Sequence, residues 1–128
     1  MTQLKIILDT NFLMLLHQYG IDIFSEIGRL VPEDYELLIP RKVSNELDSI
    51  GKKSRGVDGI SARVALQLIQ KKNILTIEDD RRVDDSIVDF VNTNVNCIVC
   101  TNDKNLKRKI KNKAQLIYMR GKDHLVRI

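Results

Sequence analysis

Four acidic residues, Asp9, Glu46, Asp84 and Asp103, are spread along the 128-residue chain, and all but Glu46 stand at the end or the start of an expected regular element. Asp9 directly follows the apolar run Ile6-Ile7-Leu8, Thr101-Asn102-Asp103 directly follows Ile98-Val99-Cys100, and Asp84-Asp85 opens a segment of helical period. Glu46 lies about two turns into the helix expected after Leu37-Leu38-Ile39, where its side chain can lean back toward the helix N-terminus. In an open parallel sheet, ligands bind outside the carboxyl ends of the strands, near the point where strand order reverses. Carboxylates from four distant segments can therefore converge on one end of such a sheet.

Ionised carboxylates held within a few ångströms repel one another and raise one another's pKa. A divalent cation removes that cost. Mg²⁺ and Mn²⁺ favour oxygen ligands, and such ions are held by a few carboxylates, retained waters and substrate phosphate oxygens. The matching chemistry is phosphodiester hydrolysis: a metal lowers the pKa of an attacking water, and a second one about 4 Å away steadies the leaving oxygen. The only histidines, His17 and His124, accompany no nucleophile motif, so no Ser-His-Asp or Cys-His arrangement competes. No glycine-rich phosphate loop is present. Each acidic residue also has an ordinary explanation. Asp9, Thr10, Asp84, Asp85 and Asp103 stand at expected helix starts, where Asp and Thr cap free N–H groups, and Glu46, like Asp48 beside it, suits a solvated helix face. Only their joint placement points to a site. Asp34, Asp58, Asp79 and Asp80 fall in expected turns.

The elements that must position these residues follow from periodicity. Segments rich in β-branched residues alternate with segments of helical period, the pattern of an α/β fold with a parallel sheet. Strands are expected at 4–8, 35–39, 74–77, 96–100 and 115–118, and helices at 10–19 (closed by Gly20), 23–30, 40–51, 60–70, 84 onward and 103–110. Lys52 to Gly59, charged and flanked by glycine, is expected to be an exposed loop. No repeat, linker or low-complexity stretch interrupts the chain, which is expected to form one domain over 1–128.

Composition excludes several classes. With 43% hydrophobic and 30% charged residues, the chain reads as a soluble globular protein, and no apolar run approaches the roughly 20 residues of a membrane helix. The N-terminal segment has no signal-peptide pattern, so a cytoplasmic location is expected. Cys97 and Cys100 lie three apart on an expected strand and point to opposite faces, so they read as two buried thiols rather than a disulfide or metal pair. A net charge of +4 suits an anionic partner.

These residues resemble the pattern of PIN-domain nucleases over nearly the whole chain. Ile6-Ile7-Leu8-Asp9-Thr10-Asn11 is similar to the first motif of that family and Val43-Ser44-Asn45-Glu46-Leu47 to its helical Glu motif. Val83-Asp84-Asp85-Ser86-Ile87 is similar to the third motif, and the stretch from Val99 to Lys107 to the fourth. The resemblance implies a three-layer α/β/α sandwich with a five-stranded parallel sheet and a Mg²⁺- or Mn²⁺-dependent endoribonuclease acting on RNA. Asp9, Asp84 and Asp103 would bind metal, Glu46 would bind a second metal or orient the water, and Thr10, Asn11, Asp85 and Thr101 would support them. The ending Leu116-Ile117-Tyr118-Met119-Arg120, after a basic helix, resembles the Fcf1/Nob1-like branch that processes ribosomal RNA more than it resembles VapC toxins. No zinc ribbon or other appended domain accompanies the motifs, so a separate protein partner is expected to supply substrate choice, and a homodimer is also open.

Two basic clusters are candidates for RNA phosphates: Lys52, Lys53 and Arg55 in the expected loop, and Lys104 and Lys107 beside Asp103. A solvated helix face explains Lys109 and Lys113 equally well. Three other readings remain open at this point: a VapC-type toxin ribonuclease held by an antitoxin, a silent RNA-binding module of the same fold, and a receiver domain. A receiver domain would need its phosphoacceptor Asp after the third strand, where only Asp79 and Asp80 stand, and a haloacid-dehalogenase phosphatase would want Asp in place of Asn11.

Overall fold

A computed structural model describes residues 3–128. Strands β1 (Leu4–Leu8), β2 (Tyr35–Pro40), β3 (Leu75–Ile77), β4 (Cys97–Cys100), β5 (Gln115–Arg120) and β6 (His124–Arg127) form one sheet in the order β3-β2-β1-β4-β5-β6. The first five are parallel, and β6 runs antiparallel to β5. Between them lie helices α1 (Thr10–Tyr19), α2 (Ile23–Leu30), α3 (Arg41–Lys53), α4 (Val57–Lys71), α5 (Val83–Thr93) and α6 (Lys104–Ile110). Ile6, Ile7 and Leu8 are all fully buried, and successive strand side chains point to opposite faces, so the sheet is covered on both sides. The architecture is a three-layer α/β/α sandwich.

Strand order reverses at β1, which pairs with β2 on one side and β4 on the other. The register sets Leu8 opposite Cys100, so the residues that follow, Asp9 and Thr101, leave the sheet side by side at its carboxyl edge. Chain punctuation matches the sequence closely in this region. The Asp9 side chain caps α1, and Gly20 closes it in the left-handed conformation at φ 67°, which glycine adopts with no Cβ penalty.

Two expectations are corrected. The five expected parallel strands are joined by a sixth, antiparallel one, β6, where no strand was expected. Its segment is only four residues long and returns through Gly121-Lys122-Asp123, with Gly121 at φ 64°. The expected loop at 52–59 is mostly helical, since α3 runs to Lys53 and α4 begins at Val57. Gly59 is a packing residue: a Cβ there would sit 2.7 Å from the Ser54 carbonyl carbon, so the α3–α4 corner closes only over glycine. Cys97 and Cys100 are buried free thiols, as expected. Among the described residues, no helix is long and apolar enough to cross a membrane.

Candidate active site

Asp9 stands at the strand-order reversal and uses both of its oxygens. Oδ1 accepts the Phe12 N–H at 2.8 Å, and Oδ2 accepts the Thr101 hydroxyl. Thr101 is fully buried and also accepts the Asp103 N–H at 3.0 Å, so one hydroxyl ties the ends of β1 and β4 together. Asp103 caps α6 through Oδ1, which accepts from Asn105 N at 2.8 Å and Leu106 N at 3.2 Å. Thr10 donates to Glu46 Oε2 at 2.6 Å, joining the first turn of α1 to α3. Asp84, in the first turn of α5, completes the set.

These side chains share a cavity of about 380 Å³ lined by Asp9, Thr10, Asn11, Lys42, Glu46, Arg82, Val83, Asp84 and Asp103. A second hollow of about 260 Å³, also touching Asp9, Asn11 and Asp103, continues past Phe12 and Asn102. Burial pushes the Asp9 carboxyl up to about 6, and the charges of Asp84 and Asp103 push the same way against the hydrogen bonds from Thr101 and Phe12. Asp84 is also raised, first by burial and then by Asp103, while Lys109 and Arg82 oppose the shift.

The donor set is all oxygen and anionic, which suits a hard divalent cation. Among the described residues, no three acidic, histidine or cysteine side chains stand close enough to enclose an ion by themselves. An ion such as Mg²⁺, which keeps several waters and takes one or two carboxylates directly, fits this more open arrangement.

The cavity thus gathers Asp9, Thr10, Asn11, Glu46, Asp84 and Asp103, with Thr101 behind it. It does not gather Asp85, which lines a separate depression with Arg81, Asp89 and Lys109. Lys52, Lys53, Arg55, Lys104 and Lys107 also lie outside its lining. Lys52 pairs with Asp48 at 3.0 Å, and Lys107 sits 4.3 Å over the Tyr118 ring. The cavity adds two cations that sequence reading did not single out, Lys42 and Arg82. A signal existed for each: Lys42 precedes Glu46 by four residues on one helix face, and Arg82 directly precedes Val83-Asp84.

Residues 6–122, a span holding all four acidic segments, match the PIN-like domain family. The chain belongs to the PIN-like family. Among relatives of this PIN-like chain, "Ribonuclease VapC4" of Methanocaldococcus jannaschii is 29% identical over 123 residues, covering 94% of this chain and 93% of the relative. "Ribonuclease VapC9" of Archaeoglobus fulgidus is 32% identical over 109 residues, covering 84% and 76%. Among solved structures, the PIN domain endonuclease Utp24 superposes with a TM-score of 0.78 at 25% identity, covering 96% of this chain and 90% of Utp24. VapBC-1 from nontypeable Haemophilus influenzae matches in fold, with a TM-score of 0.60 at 18% identity and 91% and 97% coverage.

Proposed function

We propose that this PIN-like chain is a metal-dependent endoribonuclease that hydrolyses RNA phosphodiester bonds at the cavity between the ends of β1 and β4. The observation that carries this reading is the meeting of Asp9, Glu46, Asp84 and Asp103 in one cavity, in a family whose relatives here are named ribonucleases.

Asp9, Asp84 and Asp103 are the groups that would hold Mg²⁺ or Mn²⁺, with Glu46 holding a second ion or the attacking water. When bound, the metal lowers the pKa of that water and neutralises charge on the phosphate. The protein's own contribution is positioning. Thr10 fixes Glu46 through Oε2, leaving Oε1 to orient a water and accept its proton. Thr101 sets the rotamer of Asp9 and the backbone of Asp103 together, so two ligands keep a constant separation as RNA enters and leaves. Asp103 lines the cavity with Oδ1 taken by the α6 cap, which leaves Oδ2 as the oxygen that would bind the ion. Asn11 lines both hollows, where its amide would hold a water or a ribose oxygen.

RNA processing in the cytoplasm, with ribosomal RNA the first candidate, is the role we favour, because the chain's ending resembles that branch of the family. Lys52, Lys53, Arg55, Lys104 and Lys107 would then serve as outlying phosphate contacts, and a homodimer or a separate partner would supply substrate choice. A toxin role is favoured by a different observation, the VapC names of both sequence relatives. A small protein that co-purifies with the chain and silences cutting would decide for the toxin.

The test is cleavage of end-labelled structured and single-stranded RNAs with Mg²⁺, Mn²⁺ or EDTA, by the natural protein and by Asp9→Asn. Internal cuts that require metal and vanish in the variant support the proposal. Salt-sensitive RNA binding without cutting under any metal would leave a binding module in its place.

A further inference from the structure

The chain carries two basic doublets near the cavity, Arg41-Lys42 at the start of α3 and Arg81-Arg82 before α5. In each, the first member is spent on an ion pair. Arg41 pairs with Glu78 and reaches Asp80 at 3.3 Å. Arg81 pairs with Asp79 at 2.6 Å and Asp89 at 3.0 Å. The acidic segment Glu78-Asp79-Asp80 thus takes up both arginines and holds the two doublets in place.

The second member of each doublet does the opposite. Lys42 and Arg82 both line the acidic cavity, and among the described residues neither forms an ion pair. Two cations that face four carboxylates, yet stay out of ion-pair range of them, keep their charge and donors for something else. A polyanion approaching this cavity meets strong repulsion from the carboxylates, and fixed cations at its lip offset that repulsion where it matters most. Guanidinium forks match phosphate oxygens two at a time, and an ammonium serves as a compact second charge.

We propose that Lys42 and Arg82 are the phosphate-binding pair of this cavity, taking the RNA phosphates that adjoin the bond to be cut. The inference rests on the ribonuclease reading and gives it a substrate track: the strand crosses the cavity on the side formed by the starts of α3 and α5. It assigns the main phosphate contacts to two residues inside the cavity lining. The more conspicuous lysines at 52, 53, 104 and 107 lie outside that lining.

The experiment compares the natural chain with Lys42→Gln, Arg82→Gln, their charge-keeping partners Lys42→Arg and Arg82→Lys, and Lys122→Gln. Lys122 is an exposed residue of the β5–β6 turn and serves as the control. Affinity for a fluorescein-labelled single-stranded oligoribonucleotide is measured in EDTA across a salt series, and single-turnover cutting is measured in Mg²⁺. Each lost phosphate contact lowers the slope of log affinity against log salt by about 0.7 for a single strand. The glutamine variants are expected to show that loss singly and about twice that loss together, with the Arg and Lys replacements restoring it and Lys122→Gln leaving it unchanged. Unchanged slopes in the glutamine variants overturn the pair, even where tighter Mg²⁺ binding shows that the charges had been neutralising carboxylates. The absence of any salt-dependent RNA binding by the natural chain overturns it as well. If slopes fall but the natural chain cuts nothing in Mg²⁺ or Mn²⁺, the phosphate pair stands and the nuclease reading fails. If the natural chain cuts while slopes stay put, the nuclease reading stands and the pair fails.

Discussion

The Thr101 hydroxyl donates to Asp9 Oδ2 across 92 positions of sequence, and the same oxygen accepts the Asp103 N–H at 3.0 Å. The β1–β4 register makes this contact possible, because Leu8 opposite Cys100 brings the next residues of both strands out together. A single buried side chain therefore sets the spacing of two carboxylates at the strand-order reversal. Replacing Thr101 with Val removes the donor to Asp9 and the acceptor for Asp103 N–H. Each group left unpartnered costs about 1–3 kcal/mol. The thermal midpoint should fall by several degrees, and the acidic limb of the cutting rate should move to higher pH, because Asp9 loses a bond that holds its carboxyl down. An unmoved limb would mean that the Thr101 contact does not govern Asp9.

Asp9 offers a stability test that needs no RNA. Its carboxyl is pushed from the ordinary 3.8 to about 6, so the folded chain holds that proton more tightly than the unfolded chain does. Stability from the proton is complete below about pH 4 and is lost as pH rises from there to about 6, on the order of 3 kcal/mol in all. Asp9→Asn keeps an oxygen for Phe12 N–H and has no charge to bury. In EDTA at pH 7.5 the variant should melt above the natural protein, with the difference closing toward pH 4. Adding Mg²⁺ or Mn²⁺ should raise the natural protein's midpoint and leave the variant's nearly fixed.

Thr10→Val leaves Glu46 without its 2.6 Å donor while removing little buried area. Supporting partners of this kind are worth about 10–100-fold in activity. The rate of cutting at saturating RNA should fall by that much with melting nearly unchanged, and an equal loss in Glu46→Gln would show that both act through one group.

Gly59→Ala tests the α3–α4 corner. The new Cβ must push against the Ser54 backbone, and overpacking of this kind costs about 1–3 kcal/mol. The melting midpoint should drop by several degrees while the rate per folded molecule is kept, since no residue of the corner lines the acidic cavity.

Much of this was legible in the chain itself, for identifiable reasons. The bounds of α1 could be read because Asp9 and Gly20 are a cap and a left-handed stop, and the acidic quartet stood out because Asp9, Asp84 and Asp103 stand at a strand end or helix start and Glu46 can lean back over the same edge from within α3. What stayed hidden depended on contacts between distant segments. Gly59 mimicked a loop residue because the Ser54 carbonyl it packs on is invisible to periodicity. β6 carries only two apolar residues and gains its strand state from pairing with β5. Lys42 and Arg82 are indistinguishable in type from Arg41 and Arg81 beside them. Only the acidic segment at 78–80, which takes the first of each doublet, leaves the second for the cavity. Asp84 and Asp85 differ by one helical step of about 100°, enough to send one into the cavity and the other to a separate face.

That last pair gives the most direct measurement of the central claim. Single-turnover cutting of one end-labelled RNA in Mg²⁺ is compared for the natural chain, Asp84→Asn and Asp85→Asn, two isosteric changes of equal charge at adjacent positions. If the cavity is the metal-dependent cleavage site, Asp84→Asn loses at least about 100-fold, the scale of losing one electrostatic stabilising group, and Asp85→Asn stays within a few fold of the natural rate. Cutting by Asp84→Asn at the natural rate, or an equal loss in both variants, would contradict the account.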